Sequence, residues 1–386
     1  KIGNIIKRYK DGLDLQHNGM KFNVEMSFNK DTLKKKLQTI CAEYEIKAQN
    51  ASLEATGHGF KIIKEKEGVT VDYDKTVEQL YTYVTEKWNK KANIKLTATT
   101  TVSKPKYTTE DCEKVSNEPM GSYTTEFSVG SSYANRNLNI QNGAKLINGA
   151  VVYPGEQYSC NENLYPWTED NGWHPAGTYV DGGVQDSLGG GICQVSSTLY
   201  NALLRAEIKV VKRFPHSMAV GYVPLSADAA LAGDYKDLVF ENDTDAPIYV
   251  QGIYNSGGSI TFNIYGHDTR KAGHSVKYES KTVKTTPVKT QTKKDSSKPV
   301  GYSEVESSGH VGYVAELWKI TYENGKQVSK ELIHTSTYAM SPTIVVKGTK
   351  KASTTTKKDD SDKDDKKSSE KTTKKSTSSK KSKKSE

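Results

Sequence analysis

A run of three glycines just before a cysteine is the feature that most constrains the fold of this chain. Residues 189–191 are all glycine, and Cys193 follows after a single isoleucine. Glycine allows the backbone to turn where other residues would clash. Apolar residues then recur at helical spacing, at Val195, Leu199, Ala202, Leu203 and Ala206. The pattern predicts a tight turn that leads directly into a helix starting near Cys193.

The position of Cys193 is typical of a nucleophile, although a structural role fits the same pattern. A thiol in the first turn of a helix lies at the positive end of the helix dipole, which favours the thiolate. The preceding glycines would let a substrate approach the sulfur closely. Free cysteines are also common as small buried residues, so the local pattern leaves the two interpretations balanced.

The same helix start can supply hydrogen-bond donors to a developing negative charge. The first backbone N–H groups of a helix have no partner within the helix. Those of Cys193 and Gln194 are therefore candidates for an oxyanion hole, with Gly190 and Gly191 forming the loop beside it.

A nucleophilic cysteine requires a base, and two histidines are candidates. His216 follows the predicted helix and precedes a strand-like segment, so a return of the chain could bring it over Cys193. His174 is the second choice, because its aromatic-rich loop suits substrate contact better than proton transfer. Asp228 and Asp237 are candidates for orienting the imidazole, although such aspartates are often turn or capping residues. A structural, hydrogen-bonded role is the alternative for His216.

Further side chains near the motif are candidates for the walls of a substrate cleft: His174, Trp173, Arg213, Ser196 and Tyr222. Simpler roles are available to them. A tryptophan before the glycine run is equally compatible with core packing, and a serine early in a helix commonly serves in local capping.

Metal binding is a competing use for some of these residues. Cys160, His174, Cys193 and His216 have the composition of a tetrahedral zinc site. Their spacing is long and irregular, and the four cysteines include no C-x-x-C pair. We therefore expect neither a metal nor another cofactor, and spacing alone assigns no disulfide. Cys41 shares a helical stripe with apolar residues, so we expect it to be buried.

The net charge of +9 belongs mainly to the C-terminal tail. Residues 350–386 contain 14 lysines and 7 acidic residues and almost no apolar side chains, which is typical of a disordered segment. The nearly neutral body carries no known nucleic-acid-binding motif, so no nucleic acid partner is expected. No apolar run is long enough to span a bilayer, and the sequence begins at Lys1, so a membrane anchor is expected outside this chain.

Hydrophobic periodicity predicts an α+β protein of several domains. An N-terminal linker at residues 1–20 precedes an α+β module at 21–118. A central α+β domain at 119–270 contains the candidate catalytic residues. A small all-β module occupies residues 271–348, and a disordered tail rich in Lys, Ser, Thr and Asp occupies 349–386.

Several stretches of the central domain resemble the VanW domain family. They are NRNLNI at 135–140, ING at 147–149, YPGEQYS at 153–159, the glycine–cysteine run, RFPHS at 213–217, YVP at 222–224, DA at 228–229 and DLVFEN at 237–242. The segment before them resembles the peptidoglycan-binding module that often precedes VanW domains. The segment after them resembles the G-five type of all-β wall module.

The resemblance implies a peptidoglycan L,D-transpeptidase. Some clostridial members with this domain layout are described as enzymes that join peptidoglycan stems directly between two diaminopimelate residues. Carried over by position, Cys193 is the family's cysteine, His216 its following histidine and Asp228 the acid of its Asp-Ala pair. The chain lacks the His-Gly-Cys signature of the YkuD-type enzymes, and Ala227 replaces the glycine that usually precedes the Asp-Ala pair.

The implied reaction passes through a thioester on Cys193, from a donor tetrapeptide to the side-chain amine of an acceptor diaminopimelate. These stem peptides are the implied partners, and the basic tail suits attraction to anionic wall polymers. The implied location is extracellular, at the Gram-positive cell wall. A non-catalytic wall-binding or glycopeptide-binding protein is the alternative function, and a zinc-stabilised surface module is the third.

Overall fold

A computed structural model describes residues 4–19, 27–56, 59–88, 95–180 and 183–351 of the chain. These residues form two compact units. The first contains the described residues up to 291 together with 307–344, and the second contains 292–306 together with the described residues after 344. The predicted tail lies outside the described residues from position 352 onward.

Helices and strands alternate through the first two thirds of the chain, and strands alone follow. The helices of the described residues are α1 Ile5–Asn18, α2 Lys30–Cys41, α3 Tyr73–Thr82, α4 Thr109–Glu113, α5 Ala134–Ile147, α6 Cys160–Leu164 and α7 Ile192–Ala206. The strands are β1 Ser52–Thr56, β2 Gly59–Ile63, β3 Gly68–Val71, β4 Thr100–Ser103, β5 Gly121–Glu126, β6 Ala150–Val152, β7 Gln157–Ser159, β8 Pro175–Val180, β9 Gly183–Leu188, β10 Lys209–Lys212, β11 Val239–Glu241, β12 Ile248–Asn255, β13 Ser259–Tyr265, β14 His274–Thr286, β15 Thr290–Pro299, β16 Ser303–Ser307, β17 Gly312–Glu323, β18 Lys326–Tyr338 and β19 Thr343–Lys350.

The N-terminal part contains two short antiparallel pairs, β1 with β2 and β3 with β4. Asn29 and Asp72 cap α2 and α3 by accepting hydrogen bonds from backbone N–H groups in the first turn. The segment predicted as a linker contains the helix α1. The expectation that Cys41 is buried is wrong: Cys41 is half-exposed, and no residue of α2 is buried.

The central part is built on the antiparallel sheet β5-β13-β12-β6. Helix α7 packs against β5 and β13, and α5 packs against β12 and α7. A smaller sheet, β10-β11-β7, and the hairpin β8-β9 complete this part. The α+β fold class is confirmed.

Helix α7 is the centre of the hydrophobic core. The expectation of a helix that starts at the glycine run is confirmed, since α7 begins at Ile192. Nearly every side chain of α7 is buried, which is typical of a helix enclosed on all sides. Gly191 at its start and Glu207 at its end both have left-handed backbone angles, with φ of 109° and 58°. The two ends therefore turn sharply out of the helix.

The C-terminal strands form two sheets. Sheet β14-β17-β18 belongs to the first compact unit, and its strands pair in antiparallel register with Tyr313 opposite Tyr338. Sheet β15-β19-β16 lies mostly in the second unit. The prediction of an all-β C-terminal module is confirmed. No helix in the described part of the chain is both long and apolar enough to cross a membrane.

Truncating Leu199 tests the central role of α7. Leu199 is fully buried in the middle of the helix, so Leu199→Ala should lower the free energy of unfolding by about 2–5 kcal/mol. Leu138→Ala is the matched control, because Leu138 is 44% exposed; its effect should stay within about 0.5 kcal/mol. Urea unfolding of both variants measures the difference, and equal losses would contradict this description of the core.

Candidate active site

The glycine run forms a loop that fits closely against the neighbouring backbone. A Cβ atom on Gly190 would lie 2.5 Å from the carbonyl oxygen of Ala176, so no larger residue fits there. Asn139 fixes the loop: its Nδ2 donates to the carbonyl oxygens of Gly190 and His174, both at 2.9 Å. Its Oδ1 accepts from the N–H of His174 at 2.8 Å. The loop is therefore held in place before α7 begins.

Cys193 is the second residue of α7 and is half-buried, unlike its neighbours in the helix. Its Sγ lies 3.4 Å from both the backbone nitrogen and the carbonyl oxygen of Leu231. Burial raises the pKa of the thiol, but the hydrogen bond and the charge of His216 lower it, and so does the Leu231 N–H. The pKa of Cys193 is consequently below its ordinary value, which favours the thiolate.

His216 is held by the carboxylate of Asp228. Its Nδ1–H and its backbone N–H both donate to Oδ2 of Asp228, at 2.6 and 2.7 Å. Burial lowers the pKa of the imidazole, but the hydrogen bonds to Asp228 and Cys193 outweigh it and raise the pKa to about 9. Since Nδ1 is engaged, Nε2 is the nitrogen left for the thiol.

The other oxygen of Asp228 accepts two further hydrogen bonds. Arg213 donates from Nη2 at 2.7 Å and Tyr338 donates from its hydroxyl at 2.5 Å. Burial raises the pKa of the carboxyl, but His216, Arg213 and Tyr338 together lower it to about 2. Asp228 is therefore a buried carboxylate anion at neutral pH, because these hydrogen bonds stabilise its charged form.

Tyr222 lies beside Nε2 of the imidazole, on the side that faces the thiol. Its hydroxyl is 3.4 Å from Nε2 of His216, and the two rings meet edge to face. Burial raises the pKa of this hydroxyl well above its ordinary value, so it stays protonated and can donate. Of the predicted cleft residues, Tyr222 is the one that the structure brings to the thiol–imidazole pair.

The two expected oxyanion donors differ in whether the backbone N–H already has an acceptor. The N–H of Gln194 already bonds to the carbonyl oxygen of Gly191 at 3.0 Å. The side chain of Gln194 is buried and bonds to Thr125, to the backbone of Glu126 and to Arg136. Within the described ranges, the N–H of Cys193 has no acceptor. One of the two predicted donors is therefore available, and Gln194 anchors the helix.

Three predicted cleft residues lie in internal contacts. Trp173 is fully buried in the core. Ser196 is also fully buried, and its hydroxyl donates to the carbonyl oxygen of Ala229. The Arg213 side chain is 8% exposed and is occupied by Asp228. None of the three presents its side chain to a substrate in this conformation.

His174 and Asp237, the other candidates for the base and its orienting acid, make different contacts. The backbone of His174 is part of the Asn139 network, whereas the imidazole bonded to the thiol is that of His216. Asp237 accepts from the hydroxyl of Ser159 and from the N–H of Asn161. These contacts make Asp237 a capping residue of α6, as the simpler interpretation had it.

All four cysteines are free thiols, and burial raises the pKa values of Cys112 to about 11 and of Cys160 well above its ordinary value. Across the part of the chain that the structure describes, no group of three or more His, Cys, Asp or Glu side chains is arranged to hold a metal ion.

Sequence reasoning missed two residues that shape the site. Asn139 fixes the glycine loop, and the motif NRNLNI that contains it was noticed only as a resemblance. Tyr338 lies 110 positions beyond Asp228 in a different module, so no local spacing indicates their contact.

Family models match three parts of the chain. The model described as "VanW like protein" matches residues 135–265. The model described as "Putative peptidoglycan binding domain" matches residues 1–93, so the segment expected as a linker falls inside it. The G5 domain model matches residues 277–350.

Two curated proteins are similar to the chain. "Uncharacterized protein YoaR" of Bacillus subtilis is 37% identical over 164 residues, which cover 42% of this chain and 53% of that protein. "Vancomycin B-type resistance protein VanW" of Enterococcus faecalis is 28% identical over 116 residues, covering 29% of this chain and 42% of that protein. The chain thus spans about half the length of these relatives.

Two solved structures of G5 domains are similar to part of the chain. "IgA1 Protease G5 domain structure" is 30% identical, covers 21% of this chain and 96% of that chain, and has a TM-score of 0.16. "Crystal structure of HP0197-G5" is 23% identical, covers 19% and 97%, and has a TM-score of 0.14.

The pH dependence of alkylation tests the thiol–imidazole pair. Thiolate forms as the pH rises through the lowered pKa of Cys193, so the rate with iodoacetamide should rise at lower pH than for free cysteine. A Cys41→Ser background leaves Cys193 as the accessible thiol, because Cys112 and Cys160 are buried. A profile that coincides with free cysteine, or no labelling of the folded protein, would contradict the pair.

Proposed function

We propose that this chain, parts of which match the VanW, peptidoglycan-binding and G5 family models, is a peptidoglycan L,D-transpeptidase with Cys193 as its nucleophile. The family assignments indicate association with the cell wall. The catalytic activity, the nucleophile and the stem-peptide substrates belong to the proposal.

One arrangement supports the proposal: Nδ1 of the His216 imidazole is hydrogen-bonded to the buried Asp228 carboxylate, and the same imidazole lowers the pKa of the Cys193 thiol. This is the arrangement of nucleophile, base and orienting acid that acyl transfer requires. A cysteine used only for packing has no need of a hydrogen-bonded imidazole backed by a carboxylate. The lowered pKa of Cys193 favours the thiolate.

The first half of the reaction forms a thioester. The Cys193 thiolate attacks the carbonyl carbon that links diaminopimelate to the terminal D-Ala of the donor tetrapeptide. The C–N bond then breaks, and His216 gives its Nε2 proton to the leaving amine. D-Ala departs and the acyl group stays on sulfur.

The second half transfers the acyl group. The side-chain amine of an acceptor diaminopimelate attacks the thioester, and His216 takes up a proton from that amine. A new amide bond forms, the C–S bond breaks and the thiolate returns. One amide replaces another, so the exchange requires no external energy source.

The tetrahedral intermediate carries a negative oxygen that needs donors. The N–H of Cys193 has no acceptor within the described residues, and it points from the start of a helix. The protonated hydroxyl of Tyr222 lies beside the same imidazole. We assign these two groups to the developing charge.

The location and the wider partners follow from the same proposal. The protein would act outside the membrane on cell-wall peptidoglycan. The basic tail, which includes 14 lysines from residue 350 onward, would strengthen attachment to anionic wall polymers.

A binding protein without turnover is the second candidate, favoured by the peptidoglycan-binding family of residues 1–93. It would need no thiolate. The two candidates are distinguished by replacing the sulfur, because binding alone should survive that change.

Cys193→Ala should abolish the formation of direct diaminopimelate–diaminopimelate cross-links. The variant keeps the fold, since it removes one sulfur atom from a half-buried position. Purified protein is incubated with tetrapeptide-bearing peptidoglycan, and the muropeptides are separated and identified. Identical products from wild type and Cys193→Ala would refute the enzyme, and retained peptidoglycan binding without any products would favour the second candidate.

His216→Ala should lower the rate of cross-linking about 10²- to 10⁴-fold, because the thiol loses its proton partner. His174→Ala is the matched control and should stay near the wild-type rate, since the imidazole bonded to Cys193 is that of His216. The same muropeptide assay, followed over time, gives both rates. A larger loss in His174→Ala than in His216→Ala would reassign the base.

A further inference from the structure

The sheet β14-β17-β18 of the C-terminal module is joined to the central domain at the end of α7. Glu207, just after α7, forms ion pairs with His274 at 2.7 Å and with Lys319 at 2.6 Å. The hydroxyl of Tyr278 donates to the carbonyl oxygen of Leu204 at 2.8 Å. Leu317 is part of the same hydrophobic core as α7. The module is therefore packed on the central domain rather than tethered to it.

A second contact lies at the candidate active site. His334, Ser336 and Tyr338 alternate along β18, so they share one face of the strand. His334 bonds to the hydroxyl of Tyr200 at 2.8 Å, and Ser336 accepts from Nη1 of Arg213 at 2.8 Å. All three residues therefore meet the central domain around the partners of Asp228.

The hydroxyl of Tyr338 is the closest part of the module to the catalytic groups. It accepts from the backbone N–H of Ser226 at 2.6 Å and donates to Oδ1 of Asp228 at 2.5 Å. Tyr338 is 3% exposed and Ser226 is fully buried. The next backbone N–H, that of Ala339, donates to the carbonyl oxygen of Ser217 at 2.7 Å. The strand end is thus bonded on both sides of the His216–Asp228 pair.

We propose that Tyr338 is a positioning residue of the active site: its hydroxyl holds the Asp228 carboxylate so that Oδ2 stays bonded to His216. The C-terminal module is then a working part of the catalytic centre in addition to any role in the wall. The inference rests on the proposed thiol–imidazole pair and deepens it.

The geometry explains why one hydroxyl matters. Rotation of a carboxylate about its terminal torsion meets only a low barrier, so the direction of Oδ2 depends on what Oδ1 binds. Without the Tyr338 hydroxyl, the buried N–H of Ser226 loses its acceptor, and an unpaired buried donor is costly. The nearby carboxylate of Asp228 is the acceptor that can replace the Tyr338 hydroxyl. Rotation of this carboxylate towards the Ser226 N–H would loosen its bond to His216.

The neighbours of the Cys193–His216 pair determine how its alkylation depends on pH. Arg213 faces Asp228, and its charge and the burial of His334 keep the pKa of that histidine lowered, to about 4. His334 is therefore neutral above that pH and adds no charge. Tyr222 faces His216 with a raised pKa. The alkylation profile therefore reports on Cys193, whose pKa is lowered by His216.

Tyr338→Phe in the full chain tests the proposal through the alkylation profile of Cys193. The midpoint should move to higher pH, and the rate at pH 7 should fall about three- to tenfold, because a loosened imidazolium stabilises the thiolate less. Tyr313→Phe is the matched control: it lies opposite Tyr338 in the same sheet and should leave the profile in place. An unchanged profile in Tyr338→Phe, or a shift to lower pH, overturns the proposal.

An Asp228→Asn background separates positioning from a general structural effect. If Tyr338 acts through the carboxylate, Tyr338→Phe should cause no further change in the alkylation profile of Asp228→Asn. An equal loss in both backgrounds overturns the proposal. Circular dichroism verifies folding of each variant.

A second substitution covers the case in which the phenylalanine variant does not fold. Fluorotyrosine at position 338 keeps the shape and both hydrogen bonds but strengthens the donor, so the midpoint should move to lower pH; at position 313 it should not move. No shift at 338 overturns the proposal. Alkylation needs no peptidoglycan, so a wild type without cross-linking activity refutes the proposed function while this test still decides the role of Tyr338.

Discussion

The buried carboxylate of Asp228 is the group on which the candidate site depends. An isolated charge in the interior of a protein is very costly, so it persists only where hydrogen bonds and opposite charges compensate it. Asp228 is 1% exposed and accepts from the side chains of Arg213, His216 and Tyr338 and from one backbone N–H. These donors lie on a loop and on a strand that is distant in sequence, so their hydrogen bonds to the carboxylate hold both segments in place. The imidazole is aligned as a consequence.

Helix α7 supplies the other half of the arrangement. Its side chains are buried almost all round, so it can neither rotate nor slide without opening the core. Cys193 is thereby fixed at the first turn, where the glycine loop leaves the sulfur partly accessible. In the proposed acyl transfer, the thiol of Cys193 and the imidazole of His216 would then meet without reorganisation, which is the condition under which positioned groups are most effective.

Sequence predictions succeeded where local preferences decide the structure, and failed where contacts between distant parts of the chain decide it. The start of α7 was predicted correctly because glycine conformation and helical periodicity are local properties. Cys41 was expected to be buried from a stripe of apolar residues, yet α2 has no partner that covers it. The backbone N–H of Gln194 was expected to bind an oxyanion, but it donates to Gly191, and the Gln194 side chain bonds to β5. Asp237 was a candidate for orienting the imidazole, but it accepts from Ser159 and Asn161. Neighbours distant in sequence decided the partners of these two side chains.

The sequence by itself determined the glycine turn, the helix that carries the thiol, and the set of histidines and aspartates from which a base and its partner could come. The sequence ranked His216 first, but only the tertiary structure brings His216 and Asp228 together near the start of α7, because their meeting depends on a folded core. It also decided that a tyrosine 110 positions away would complete the carboxylate's shell. Turn and helix preferences act over a few residues, whereas the desolvation of a charge is resolved by whichever donors the packed chain brings within about 3 Å.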